Sequence, residues 1–354
     1  VKRRLTITAG KNAREILLSG GFSADRIKVL AGASGGPKWL VLSGIDRVLP
    51  SIFKTRKTEL FTVGSSIGSW RFAALSQNDP VKAVETFEHH YIEQRYSSKN
   101  PPASEVTSES YKIIDAFLGE NGARDAMNHP FFRMSVISAK SKGLAASERK
   151  ILQGAAFLPL IVSNMLSRRT LALGFSRALF RDPRSKPPFA AMKGFNTQLI
   201  DLTENNLRSA LMSSGSIPLV MSGVSGIEGA PRGVYRDGGV IDYHLDIPFL
   251  PENDGLVLYP HFHNRIVPGW LDKNIPWRKA HSYAIDNTIL VSPSDEFIAS
   301  LPGGKVPDRN DFYEFLGDDA GRIKRWLAVT SACRAIGEEL GEVVASQRFR
   351  DYIE

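Results

Sequence analysis

Residues 59–75 read Glu59-Leu60-Phe61-Thr62-Val63-Gly64-Ser65-Ser66-Ile67-Gly68-Ser69-Trp70-Arg71-Phe72-Ala73-Ala74-Leu75. A short β-favouring run at 59–63 enters a tight glycine turn, Gly64-Ser65-Ser66-Ile67-Gly68, and leaves it as a helical segment from Trp70. The stretch before it has the same layout. Residues 26–31 form an apolar run, Gly32-Ala33-Ser34-Gly35-Gly36 is a glycine-rich loop, and Pro37 stands where a helix can begin. Trp39, Leu40, Leu42, Ile45 and Leu49 then recur at helical spacing. Two consecutive strand–loop–helix units predict a βαβ core with parallel strands. The expected fold class is therefore α/β, a three-layer α/β/α sandwich around a mostly parallel sheet.

Further strands are predicted at 131–139, 195–202, 255–259 and 288–291. Helices are predicted over 80–128 (looser around Asn100-Pro101-Pro102), over 145–182 and over 204–213. A long C-terminal helix is expected from about Asp311, with Gly317, Gly337 and Gly341 as weak points. No stretch reads as a linker, so residues 1–354 are expected to form one domain. Its motif-bearing core would lie at about 26–300, a middle helical region at about 80–190 would shape the substrate site, and a helical tail would start near 309.

The chain has 354 residues, 42% hydrophobic and 23% charged, which is a globular and not a disordered composition. Its net charge of +8 favours anionic partners. The cations are spread along the chain and form no block, which fits equally a charge that only keeps the protein soluble, and no nucleic-acid partner is expected. The single cysteine, Cys333, excludes an intrachain disulfide and reads as core filler in a helix. The start, Val1-Lys2-Arg3-Arg4-Leu5, lacks the apolar stretch of a signal peptide. No apolar run reaches the ~18 residues of a membrane span, and the most apolar one, 154–162, contains Pro159. A cytoplasmic location is expected, with peripheral membrane contact at most. That contact would use the segment 149–184, where Lys150, Arg168, Arg169, Arg177 and Arg181 accompany Leu, Ile and Phe. The same pattern fits a helix whose apolar face packs on the core while its arginines stand in solvent.

Two stretches match Gly-x-Ser-x-Gly, one centred on Ser34 and one on Ser66. A serine in such a turn sits on a strained backbone between strand and helix, and the flanking positions must be small. The helix after it aims N–H groups at developing negative charge. The first loop is richer in glycine, and consecutive glycines can turn backbone N–H groups toward one point as an anion cradle. Ser66 is therefore read as the nucleophile, flanked by Gly64 and Gly68, and Gly35 and Gly36 as oxyanion donors. Gly32 and Lys38 support the first loop. A phosphate-binding loop is the competing reading of that stretch, but Lys38 does not fit the Walker spacing.

The order Gly35-Gly36-Pro37-Lys38, Gly64-Ser65-Ser66-Ile67-Gly68, Ser213-Ser214-Gly215-Ser216-Ile217-Pro218 and Asp237-Gly238-Gly239 resembles the patatin-like phospholipases. The resemblance spans roughly 26–76 and 196–250, and its first two motifs lie about thirty residues apart. It implies a Ser66–Asp237 dyad without histidine, an oxyanion hole at Gly35 and Gly36, and supporting glycines at 238 and 239. It implies a lipid acyl hydrolase or carboxylesterase that needs neither metal nor organic cofactor, with a lipid or other ester as substrate. Trp39 departs from the family pattern, which has glycine there. It is expected to point into the helix start, away from the donors.

Three other readings remain at this point. An α/β-hydrolase would need a Ser-His-Asp triad, with His244, His261, His263 or His281 as base. A lipid-binding protein on the same fold would need no turnover. His261 and His263, two residues apart, share one face as two ligands of a zinc site would, but no third ligand stands beside them in the sequence. His89, His90 and His129 have no chemical constellation around them.

Overall fold

In a computed structural model that describes residues 3–353, the two strand–loop–helix units form the centre of a nine-stranded sheet. Its strands are β1 Leu5–Ala9, β2 Ile27–Gly32, β3 Leu60–Ser65, β4 Phe132–Ser141, β5 Phe175–Arg181, β6 Thr197–Asp201, β7 Tyr235–Asp237, β8 Leu256–Pro260 and β9 Thr288–Pro293. The order is β1-β9-β8-β2-β3-β4-β5-β6, with β7 attached to β4. Pairings β9-β8, β8-β2, β2-β3, β3-β4 and β5-β6 are parallel. Antiparallel pairs are β1-β9, β4-β5 and β4-β7. Helices pack around this mostly parallel sheet, as the sequence predicts. The central strands are buried along nearly their whole length, as parallel strands covered on both faces must be.

One register feature matters most for the site. Residues of β4 up to Ile137 pair with β3, which ends at Ser65. From Ser138 to Lys140, β4 pairs instead with β7, which runs the other way and ends at Asp237. β5 occupies β4's other side over Ser135–Ser141, so β3 and β7 share one edge and meet end to end. The residue after β3 and the last residue of β7 are thereby brought together, although 171 positions separate them in sequence.

Several expectations need correction. The helix expected from Pro37 is a 3-10 turn over Gly36–Leu42, and the α-helix begins only at Ser43 and runs to Ile52. The segment 145–182 is not one helix. It is the helix Lys150–Leu166, a 3-10 turn over Arg168–Leu173, and the strand β5. Leu171, Phe175 and Leu179 mimic helical spacing, but β5 is buried on both faces and so shows no alternation to betray a strand. Three of the arginines read as solvated or membrane-facing are engaged with protein carboxylates. Arg177 forks onto Asp242 at 2.6 and 2.8 Å, Arg168 lies 3.5 Å from both Asp242 and Asp272, and Arg181 pairs with Asp201. The N-terminal strand β1 went unanticipated.

The C-terminal helix is Asp319–Ser346, preceded by a separate turn of helix at Asp311–Glu314. Gly317, at φ 81°, lies in the break between them. Gly337 is not a weak point. A Cβ there would run into the Gly44 carbonyl, and one on Gly44 into the Cys333 carbonyl, so this pair lets the helices Ser43–Ile52 and Asp319–Ser346 cross in backbone contact. Cys333 is fully buried at that crossing.

Candidate active site

Ser66 follows β3 and caps the helix Ile67–Leu75. Its backbone is at φ 54° and ψ −128°, a conformation that costs a non-glycine residue of order 1–3 kcal/mol and persists only where the surroundings impose it. Its N–H donates to Ser214 Oγ at 2.8 Å, and that hydroxyl donates to the Ile137 carbonyl at 2.6 Å. The Ser66 carbonyl accepts from Ser69 N at 3.0 Å and Ser69 Oγ at 2.6 Å. Gly68 is required by close approach, because a Cβ would strike the Gly32 carbonyl. Deeper in the same helix, Arg71 holds buried Asp46 in a two-pronged pair at 2.7 and 2.6 Å. The turn is thus braced from three sides.

Ser66 Oγ donates to Asp237 Oδ2 at 2.8 Å, and both residues are nearly inaccessible to solvent. Gly239 N donates to Asp237 Oδ1 at 2.7 Å, which fixes the carboxylate plane. Burial pushes the Asp237 carboxyl above its ordinary value. The nearby Arg309 charge and the hydrogen bonds from Ser66 and Gly239 pull the other way without winning. Such a carboxylate, desolvated and touching a hydroxyl, has the placement and the basicity that proton abstraction needs.

Ser34, the other Gly-x-Ser-x-Gly serine, lacks the strained conformation. Among the described residues the non-glycine positions with positive φ are Ser66, Leu219, Leu245, Asn253 and Gln347. Ser34 Oγ donates to Ser65 Oγ at 3.0 Å, and Ser34 N to the Tyr243 carbonyl at 2.8 Å. It ties the two loops together. Gly36, at φ 55°, opens the 3-10 turn, where a first-turn N–H has no partner within the turn. Gly35 and Gly36 both line the cavities that meet at Ser66. Gly238 packs its Cα against the Ile137 carbonyl and Gly239 against Ser34, so both keep the Asp237 turn close to the sheet. Trp39 is fully buried and stacks on Phe87 at 4.1 Å, away from the cavities.

The histidines are engaged elsewhere. His244 Nδ1 accepts from Val267 N, His261 Nδ1 bonds the His263 backbone, and His281 pairs with Asp246 at 2.7 Å. Burial holds His261 at about 3 and His263 at about 4, so both rings are neutral near pH 7. None of these histidines lines a cavity at Ser66. Among the described residues, no group of three or more His, Cys, Asp or Glu side chains could hold a metal ion.

Two cavities open from Ser66. One, of about 470 Å³, is walled mainly by apolar and aromatic side chains, including Trp70, Val106, Ile113, Met221 and Phe312, with Lys99, Arg309 and Asp319 also on its lining. The other, of about 350 Å³, also contains Asp237 and is walled by Lys38, Lys273, Asp308 and Arg309. Val106 and Ile113 come from the middle helical region expected to shape the substrate site. Ser214, Lys273, Arg309 and Phe312 were not among the sequence candidates. Ser214 lies inside a quoted motif, Lys273 sits in a stretch with no recognisable pattern, and Arg309 and Phe312 fall at the start of the expected C-terminal helical tail, where nothing marks them as site residues.

Among the described residues, no helix is long and apolar enough to cross a membrane. No family model matches the chain, and no curated protein matches it. Among solved structures it is similar to the crystal structure of VipD from Legionella pneumophila, at 11% identity and a TM-score of 0.34. The match covers 75% of this chain and 54% of that one, so the chain spans about half the length of the structure it matches.

Proposed function

We propose that this chain is a serine hydrolase of carboxylic esters that acts on lipid acyl groups. Ser66 is the nucleophile, Asp237 the base, and the N–H groups around Gly35 and Gly36 the oxyanion donors. The observation that carries this reading is the 2.8 Å hydrogen bond from Ser66 Oγ, held at φ 54°, to a buried carboxylate. The motif order shared with the patatin-like phospholipases supports it. Asp237 takes the hydroxyl proton as Oγ attacks the ester carbonyl, and the donor loop stabilises the oxyanion. Asp237 then returns the proton to the leaving alcohol. Water, deprotonated by the same carboxylate, attacks the acyl carbon, and as the bond to Ser66 Oγ breaks Asp237 passes that proton to Oγ, releasing the acid and restoring the serine. The apolar cavity suits the acyl chain, since burying each methylene contributes about 0.8 kcal/mol.

The test compares wild type with Ser66→Ala and Ser34→Ala on short-chain aryl esters and on phospholipids. Ser66→Ala should abolish turnover and Ser34→Ala should retain it. Full activity in Ser66→Ala would sink the reading.

The same function calls for access to a lipid surface, and we infer that the helix Lys150–Leu166 provides it. Gln153, Phe157, Leu160 and Asn164 face inward, yet Ile151, Leu158, Val162, Met165 and Leu166 are exposed on the same helix. No acidic residue occurs between 149 and 181, and Arg149, Lys150 and Arg169 are exposed. An apolar face with this charge fits an anionic lipid surface. Gln153 Oε1 accepts from Leu219 N at 2.7 Å, next to Val220 in the wall of the apolar cavity, so the helix adjoins the site. Sedimentation with anionic vesicles, weakened by Ile151→Asp with Leu166→Asp, is the expected result. Equal pelleting with neutral vesicles would contradict the charge argument.

A further inference from the structure

The second cavity has a charge arrangement that ester cleavage alone does not require. Lys38, Lys273 and Arg309 come from three separate chain segments and converge on the same 350 Å³ space beside Ser66. None of the three forms an ion pair with a carboxylate among the described residues. Lys38 Nζ lies 3.4 Å from His263 Nε2 and 5.1 Å from the Phe262 ring centre. Lys273 Nζ sits over the rings of Tyr243 at 4.3 Å and Trp270 at 5.8 Å. Arg309 packs on Gly36, whose added Cβ would stand 3.2 Å from its Nε.

Two carboxylates share the cavity. Asp237 is committed to Ser66. Asp308 lies 3.7 Å from Lys305 and accepts from Asn310 N at 2.8 Å, which partly occupies it. The cations remain in excess by one, counting three against two. Burial, and then the charges of Lys38 and Arg309, lower Lys273 to about 7. That is the condition of a cation lacking its counter-ion, and an incoming anion would reverse it.

We propose that Lys38, Lys273 and Arg309 form a subsite for a phosphate monoester carried on the alcohol side of the ester substrate. This rests on the proposed hydrolase reading and names its substrate class. Both cavities open from Ser66, the larger one mainly apolar and the smaller one holding all three cations, with Arg309 lining both. The acyl chain takes the apolar one and the leaving alcohol the cationic one. A zwitterionic head group is disfavoured, because its quaternary ammonium would meet three cations. The aromatic faces that could have caged it, on Tyr243 and Trp270, already carry the Lys273 ammonium. A phosphate monoester accepts several charge-assisted hydrogen bonds at once and suits an arginine with two lysines.

The test uses binding and not turnover, so that it stands apart from the catalytic reading. Full-length Ser66→Ala protein is titrated calorimetrically with dioctanoyl phosphatidic acid and with dioctanoyl phosphatidylcholine. The acid should bind at least about tenfold more tightly. Adding Lys273→Gln or Arg309→Gln should each reduce that preference by about tenfold, the equivalent of one lost charge-assisted hydrogen bond. Both side chains reach solvent and neither forms an ion pair, and an unchanged thermal midpoint checks that the fold persists. Competition by inorganic phosphate and by dibutanoyl phosphatidic acid separates the sources. Displacement by inorganic phosphate alone points to a small soluble phosphoester, and displacement only by the acylated compounds points to a lipid head group. Both support the subsite. Equal binding of the acid and the choline lipid, or a preference unchanged in both variants, overturns it. Tight acid binding by a protein that hydrolyses no ester would leave the subsite standing and remove the hydrolase reading.

Discussion

Replacing Asp237 by Asn separates the chemical use of this carboxylate from its structural cost. Asn keeps the shape, and its Oδ1 can still accept from Gly239 N, now 2.7 Å from the carboxylate. Its amide on the Ser66 side can only donate, so Ser66 Oγ loses its proton acceptor. A positioned general base contributes about 10²–10⁴-fold, or ~2.7–5.5 kcal/mol of barrier, and kcat on an aryl ester should fall by that much. Stability should move the opposite way. Burial raises the Asp237 pKa in the folded chain, so the ionised form is disfavoured there. Below the unfolded pKa both states carry the proton and no penalty exists. Above the folded pKa the penalty is complete. Asp237→Asn should therefore melt at or above the wild-type temperature at pH 7–8, and the difference should shrink as the pH falls through the folded pKa. Activity within threefold of wild type, or a melting point many degrees lower at neutral pH, would refute this reasoning.

Other expectations follow from the same geometry. The acidic limb of kcat/KM should have its midpoint above the ordinary carboxylate pKa of about 4, because Asp237 must be ionised and burial opposes that. For a phosphate-bearing ester, KM should rise above about pH 7 as Lys273 loses its charge, and Lys273→Gln should remove that rise. Arg177→Ala should cost about 3–5 kcal/mol in urea unfolding, because it strands Asp242 buried, although Arg168 at 3.5 Å offers part of a replacement. Gly337→Ala gains ~1 kcal/mol of helix propensity, but its methyl group meets the Gly44 backbone, and overpacking of about 1–3 kcal/mol should leave a net loss. Gly341→Ala meets only Val48 Cγ2 at 3.3 Å and should be neutral or stabilising by the same measurement.

What was legible in the sequence was local. Residues 26–49 and 59–75 announce strand, glycine turn and helix because each feature is encoded within a few neighbouring residues. The strand β5 was hidden because Phe175, Ala178 and Leu179 are buried on both faces, and Arg177 is drawn inward by Asp242, 65 positions away. No local pattern carries that pairing. The choice between Ser34 and Ser66 also lay outside the five-residue motif, and it shows in backbone conformation, φ 54° at Ser66 alone of the two. Asp237 could be named from the motif order, but its approach to Ser66 depends on β3 and β7 meeting end to end on β4. Lys273 and Arg309 were invisible for the plainest reason. Lys273 sits in a turn with no periodicity and Arg309 in the turn just before the expected helical tail, and only the folded chain brings them to one cavity.

The most direct measurement is covalent. A fluorophosphonate probe is incubated with folded protein and the labelled peptide is identified by mass spectrometry. The account predicts a single adduct on Ser66, absent in Ser66→Ala, slowed in Asp237→Asn and intact in Ser34→Ala. An adduct on Ser34, or ester hydrolysis that persists with Ser66 unlabelled, would contradict it.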